Sequence, residues 1–314
     1  MFRFALTRIG MAIPTLLIVA ITVFVLIRMI PGDPAQLLLG DLADPAALED
    51  LRRTMGLDRG WLEQFLLWGG NLLQGDMGRS ITTGQSVLAL VWERFLVSGQ
   101  VVIAAVIFAS LVAIPAGIIA AWRQNRATDL VLVGTATLLV SIPTFWLGLL
   151  LLLLFGVKLA WLPVVGYVPI SQDATLGLLY LVMPILTLFL HEIGVLMRMA
   201  RASALEVLRL DYVTHARAKG LTERAVLMHH VFKNSFGPTW TLIGLVLGNL
   251  LGGIAVVETV FTIPGLGRLL VDSIFARDYP VIQGCLLFVA VIYVLVNLVV
   301  DLLYPIFDPR VTAE

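Results

Sequence analysis

Six stretches of this chain, near 9–30, 99–122, 130–157, 178–199, 239–261 and 281–304, are long continuous runs rich in Leu, Val, Ile and Ala. A helix needs about 20 mainly apolar residues to cross a bilayer core of roughly 30 Å, where its backbone polar groups find no water and must bond one another. Strands of a membrane barrel would instead read as alternating segments of about ten residues. The runs therefore predict an all-α membrane protein with six transmembrane helices. Only 13% of the residues are charged, against roughly 25% in soluble domains, too few to coat one. The first run follows Arg3 and Arg8, but its apolar stretch is longer than the 7–15 residues of a signal peptide. Pro31-Gly32-Asp33-Pro34 also offers no small-residue cleavage site, so an uncleaved first span is expected.

Lysine and arginine in the short connections set the expected orientation. With the N-terminus inside, the inner side carries twelve of them, Arg310 in the tail included, and the short outer loops only Lys158, Arg268 and Arg277. Both termini are thus expected in the cytoplasm. The domain plan is an N-terminal segment with its span (1–30), an external segment (31–98), a five-span core (99–304) and a cytoplasmic tail (305–314). The external segment has turn punctuation and helical-looking stretches near 45–56 and 60–73, and is expected to pack on outer helix ends. The core contains one long cytoplasmic loop, 200–238, which together with Arg198 at its edge holds seven of the twelve inner basic residues.

Enzyme chemistry finds no constellation to support it, so no catalytic residue and no metal site are expected. A phosphate-cradling loop ends in Gly-Lys-Ser/Thr, but the three lysines, Lys158, Lys219 and Lys233, follow Val157, Ala218 and Phe232. His191-Glu192 begins a zinc-protease pattern whose second histidine is Val195 here. Gly265-Leu266-Gly267 begins a dinucleotide fingerprint that Leu270 breaks, and Cys285 is the single cysteine. The net charge of zero gives no field for nucleic acid.

The loop 200–238 carries the strongest local signal. Asp211 to Lys219 favours helix, Gly220 is a natural C-terminal cap, and Thr222 with Glu223 opens a second helix. Leu221, Ala225, Met228 and Phe232 then fall on one apolar stripe, and Leu205, Leu208 and Tyr212 make a similar one upstream. Such a segment suits either a bed of lipid headgroups or a groove on a partner protein. A tight capped turn in mid-segment favours the groove.

Asp211-Tyr212-Val213-Thr214-His215-Ala216-Arg217-Ala218-Lys219-Gly220-Leu221, continuing through His230 to Pro238, resembles the cytoplasmic signature loop of binding-protein-dependent ABC importer permeases. The closer likeness is to the peptide/opine/nickel subfamily, in the B-type position of dipeptide and oligopeptide systems. Further matching strings span nearly the whole chain. They include Met55-Gly56-Leu57-Asp58, Gly75-Asp76-Met77-Gly78-Arg79-Ser80, Ser141-Ile142-Pro143, Glu258-Thr259-Val260-Phe261, Pro264-Gly265-Leu266-Gly267-Arg268 and Arg277-Asp278-Tyr279-Pro280. The wider family's Glu-Ala-Ala triplet is Thr214-His215-Ala216 here, while Gly220 matches the family glycine.

The resemblance implies an ABC importer type I permease fold in the bacterial cytoplasmic (inner) membrane. It also implies a coupling helix around 211–221 seated in a cleft of an ATPase subunit, contacted through Asp211, Tyr212, His215, Ala216, Arg217, Lys219, Gly220 and Leu221. Two ATP-binding cassette subunits would bind ATP and Mg, with no cofactor in this chain. A second, related permease and an extracytoplasmic substrate-binding protein would complete an alternating-access importer, most naturally for di- or oligopeptides. Nickel chelates, glutathione and other small solutes are the alternative cargoes. An ion-gradient secondary transporter is the alternative class, though no internal repeat supports it.

Ionisable residues inside spans are costly and so are functional candidates. His191 and Glu192 are candidates for the pathway or gate, against pairing with a neighbouring subunit. Glu258 near an outer helix end either meets substrate or sits at the interface, and Pro143 is expected to kink the third span. Gly244, Gly248 and Gly252 repeat every four residues and suit close helix packing, within the chain or against a second permease.

Overall fold

The computed structural model describes residues 2–29, 35–36, 44–54 and 56–307. The expected turn at 31–34, Met55 and most of the tail, Arg310 included, lie outside the described residues. Within them the chain is helical, and an isolated bridge between Arg79 and Ser86 is the one extended pairing. The helices are α1 (Phe2–Met29), α2 (Pro45–Thr54), α3 (Trp61–Leu73), α4 (Val87–Trp122) and α5 (Ala127–Ser141). Then come α6 (Thr144–Leu151, prolonged by wide π-helical turns over Leu152–Lys158), α7 (Ala174–Leu208) and α8 (Asp211–Ala218). The short α9 (Glu223–Ala225) runs through a second π-helical segment, Val226–Phe232, into α10 (Lys233–Gly253). The chain closes with α11 (Ala255–Val260), α12 (Leu266–Ala276) and α13 (Tyr279–Phe307).

Among the described residues four helices, α1, α4, α7 and α13, are long and apolar enough to cross a membrane. The run expected as a third span, 130–157, is not one helix. It breaks between α5 and α6, which meet at 97°. Pro143 does more than kink a continuous helix. Ile142 is extended, and the Pro143 carbonyl accepts from Leu147 N at 3.0 Å to open α6. The fifth run, 239–261, is divided between α10 and α11, and α10, carrying Pro238 and several glycines, falls short of the other four in apolarity. α4 has 36 residues, about 54 Å at 1.5 Å per residue. Its first turns belong to the segment expected to be external.

Close approach of backbones sets the core. α4 lies along α7 at Gly117, where an added Cβ would come within 2.7 Å of the Met197 carbonyl and 2.8 Å of Ala200. α7 meets α5 at Gly194, whose Cβ would stand 2.5 Å from the Ala136 carbonyl. On the other side of the bundle, Gly244 and Gly248 of α10 admit Val300 and the Tyr293 ring of α13, while Gly252 has only ordinary contact with Val289. The glycine stripe thus serves packing within the chain at its first two positions. Trp240 Nε1 also donates to the Val300 carbonyl at 3.1 Å.

The described part of the segment expected to be external rests on helix ends. α3 covers α1 through Phe24, Phe65 and Trp68, and Arg28 Nε donates to Gln64 Oε1 at 2.9 Å. The loop before α4 is held by Asp278, which accepts from Ser80 Oγ (2.5 Å), Ile81 N (3.1 Å) and Thr82 N (3.2 Å). Replacing Gly248 by valine forces a side chain into the Tyr293 ring, an overpacking that costs about 1–3 kcal/mol. A lowered unfolding midpoint of the detergent-solubilised chain is expected. Gly134→Ala, inside α5 with nothing within 4 Å of its Cβ position, should leave the midpoint no lower, since alanine favours the helix.

Candidate functional site

The segment between α7 and α10 builds a compact knuckle. α7 continues past its expected end to Leu208, and a bend at Arg209–Leu210 leads into α8. α8 ends in two hydrogen bonds of a Schellman cap: Gly220 N donates to the Arg217 carbonyl at 2.9 Å and Leu221 N to the Ala216 carbonyl at 3.3 Å. Gly220 has φ +82°, the left-handed region that glycine enters without steric penalty. Thr222 then caps the next helix, its Oγ1 accepting from Ala225 N at 3.4 Å.

One face of the knuckle is buried and the other is open. Val213 and Ala216 are buried and join the main apolar core with Ala204, Val207 and Ala121. Asp211, Tyr212, His215, Lys219, Gly220 and Leu221 are exposed. Of the residues expected to contact a partner, Ala216 is therefore turned inward and does not belong to that face. Arg217 is engaged within the chain: Nε and Nη2 donate to the two carboxylate oxygens of Glu223 at 2.8 and 3.2 Å. Glu223 also accepts from the indole N–H of Trp122, the last residue of α4, at 2.9 Å. By residue type Glu223 is only a helix-start acid, because Trp122 lies 101 positions away.

Ala225, Met228 and Phe232 of the expected apolar stripe share one side of the second helix, but that side is not the one buried in the bundle. π-helical turns over Val226–Phe232 place residues five apart on one side, so Val226 and Val231 are fully buried while Met228 is 59% exposed. Met228 and Phe232 instead line an open apolar groove of about 780 Å³ with Phe236, Ile306 and Phe307. Farther up, Asp129 at the start of α5 receives a bidentate ion pair from Arg201 of α7, at 2.7 and 2.8 Å, and accepts from Asn125 N at 2.9 Å.

The candidates inside the membrane separate from the knuckle and from each other. His191 is half-buried with its Nδ1 lacking a partner, and Glu192 beside it is 5% exposed. Glu258 is fully buried. It accepts from Ser98 Oγ at 2.5 Å and from Arg268 N at 2.8 Å, while Ser98 Oγ accepts from Leu266 N at 2.8 Å. That carboxylate fastens α4 and the N-terminus of α12 to α11, so within this chain it presents no free oxygen to a substrate. Removing it in Glu258→Ala leaves buried donors at the start of α12 unanswered, at roughly 1–3 kcal/mol each. A steep loss of folded protein is expected from Glu258→Ala, and a smaller one from Glu258→Gln, both read by thermal unfolding in detergent.

The hydrogen bonds from Arg217, opposed by partial desolvation and reinforced by the Trp122 indole, hold the Glu223 carboxyl below its ordinary value of 4.5. A group whose pKa is depressed on folding contributes stability that is present above its unfolded pKa and is lost as pH falls through the folded one. The indole N–H resonance of Trp122, identified by its disappearance in Trp122→Phe, should hold steady from pH 8 to 5 and move only below 4.5.

Two family descriptions match the chain. "Binding-protein-dependent transport system inner membrane component" covers residues 113–313, and the N-terminal description of the same kind of component covers 1–101. A peptide transport system permease protein of Brucella suis is 43% identical over 306 residues, 98% of each chain. The dipeptide transport system permease protein DppB of Alkalihalophilus pseudofirmus is 38% identical, covering 99% of both chains. The glutathione transport system permease protein GsiC of Escherichia coli O6:H1 is 41% identical over 311 residues, again 99% of each. With a multi-pass helical body, two family matches that together span nearly its whole length and relatives above 30% identity end to end, the chain belongs to the inner membrane components of binding-protein-dependent transport systems, the permeases of ABC importers.

Proposed function

We propose that the chain is the permease subunit of an importer for di- or oligopeptides, driven by ATP bound with Mg on two separate cassette subunits. The carrying observation is the exposed face of α8, ended by the Gly220 turn and set on a buried base of Val213 and Ala216. A short rigid element of that kind fits a groove on another protein. The basic residues around it agree with a cytoplasmic position for the knuckle and for both termini. In this reading Asp211, Tyr212, His215, Lys219 and Leu221 contact the ATPase subunit, and Gly220 provides the turn that presents them. A second, related permease closes the pathway, an extracytoplasmic binding protein delivers the cargo, and lipid surrounds the rest. His191 and Glu192 lie on α7 between the knuckle and the outer half of the bundle, which suits a gate on the inner side.

Relatives named for peptides and dipeptides support the peptide cargo. The relative named for glutathione, itself a tripeptide, supports the second cargo reading. Titrating the cognate binding protein with dipeptides, oligopeptides and glutathione separates them.

Gly220→Leu puts a branched side chain at φ +82°, where it is strained at roughly 1 kcal/mol or more. It meets no neighbour within 4 Å, so the bundle itself should survive. The expected outcome is normal membrane yield with loss of copurifying ATPase activity. Retained ATPase and peptide uptake in this variant would remove the docking role.

A further inference from the structure

Glu223 joins three pieces that the chain itself connects only at long range. Its carboxylate is gripped by Arg217 of α8 through two hydrogen bonds and by the indole of Trp122 at the end of α4 through a third. The Arg123 guanidinium lies 5.3 Å from the Trp122 ring centroid, so the indole is engaged on its face as well as its edge. Through the chain, α8 is continuous with α7 on one side and with α9 and α10 on the other. α4 has no covalent route to α8 except through α5, α6 and α7.

The end of α4 is also firmly seated elsewhere. Gly117, five residues before Trp122, lies against the Met197 carbonyl, the Ala200 methyl and the Arg201 N of α7 without room for a methyl group of its own. Arg201 in turn clamps Asp129 at the start of α5. α4, α5 and α7 therefore meet as one unit at this rim, and Glu223 gives α8 a second attachment to it.

We propose that Glu223 is a positioning residue that ties the coupling helix α8 to the cytoplasmic end of α4, so that displacement of α8 reaches α4 directly. This rests on the reading that α8 docks on a motor subunit. Arg217 then acts inside the permease as the grip on Glu223, and the docking contacts fall to its exposed neighbours. The tie is local, lies at the membrane surface and is built from an acceptor with three donors, so it transmits sideways displacement without an unbroken helix between the two elements.

The test uses the whole importer in liposomes, with the wild-type chain, Glu223→Gln, Trp122→Phe and the exchange Arg217→Glu with Glu223→Arg. Two readouts are taken: ATP hydrolysed per dipeptide imported, and ATP-dependent hydrogen exchange at α8 and at the last turns of α4. The tie predicts that Glu223→Gln raises the ATP-to-dipeptide ratio roughly fivefold, the scale of a coupling energy near 1 kcal/mol. Trp122→Phe should raise it in the same direction. In both variants ATP should still alter exchange at α8 but no longer at the end of α4. The exchange of partners restores the ion pair within the knuckle but leaves the indole N–H facing a guanidinium, so the ratio should remain high. A wild-type ratio in Glu223→Gln or Trp122→Phe overturns the proposal. So does full recovery in the exchanged variant, which would reduce Glu223 to a local brace, or a parallel fall of ATPase and uptake, which marks lost assembly. Absence of any ATP response at α8 in the wild type overturns the docking reading itself and is distinct from all of these.

Discussion

A carboxylate withdrawn from water has to be answered by donors from the protein, because an isolated buried charge is far too costly to persist. Among the described residues Asp129, Glu192, Glu258 and Asp278 are almost fully buried, and three of these carboxylates are answered in that way. Asp129 takes the Arg201 guanidinium and Asn125 N, Glu258 takes Ser98 and the start of α12, and Asp278 takes Ser80, Ile81 and Thr82. Each joins segments far apart in sequence at a place where a helix begins or ends. Helices make their own hydrogen bonds along their length, but their ends leave orphan groups. The bundle is held in register at its ends by these three acids, and along its length by glycines that let neighbours approach.

The division of labour explains what could be read from the residues alone. Apolar runs identify spans by composition, so α1, α4, α7 and α13 were legible as spans, but not the early start of α4 at Val87 or the late end of α7 at Leu208. The break at Ile142–Pro143 was legible as a disturbance but not as a 97° turn, since apolar content continues unchanged on both sides of it. Arg277-Asp278 and Gly78-Arg79-Ser80 stood out as strings. That Asp278 holds Ser80 could not be read, because nothing in either string names a partner 198 residues away.

The knuckle shows the same limit at closer range. Gly220 and Thr222 announce their roles through residue type and position, and both roles appear in the backbone. For the helix after them, helical period reads one apolar face, with Met228 and Phe232 on it, and passes over Val226 and Val231. Period alone cannot choose between an α-helical and a π-helical face when both are apolar. The π turns bury the valines and leave Met228 out. Glu223 was visible as a helix-start acid. Its second bond, to Trp122, is a matter of tertiary placement.

The broken pair α5–α6 has a consequence for how the subunit stands in the bilayer. α5 has 15 residues, about 22 Å of rise, so the break lies short of the far edge of a core roughly 30 Å thick. There the last carbonyls of α5 lose their helical partners, and Ser141, Pro143, Phe145 and Trp146 are exposed on this chain. Hydrocarbon cannot answer a free carbonyl, and irregular backbone at that depth is tolerated only against protein or water. The break is therefore answered by protein or water rather than by hydrocarbon, which leaves the side of the subunit that carries it for a neighbour or an aqueous space.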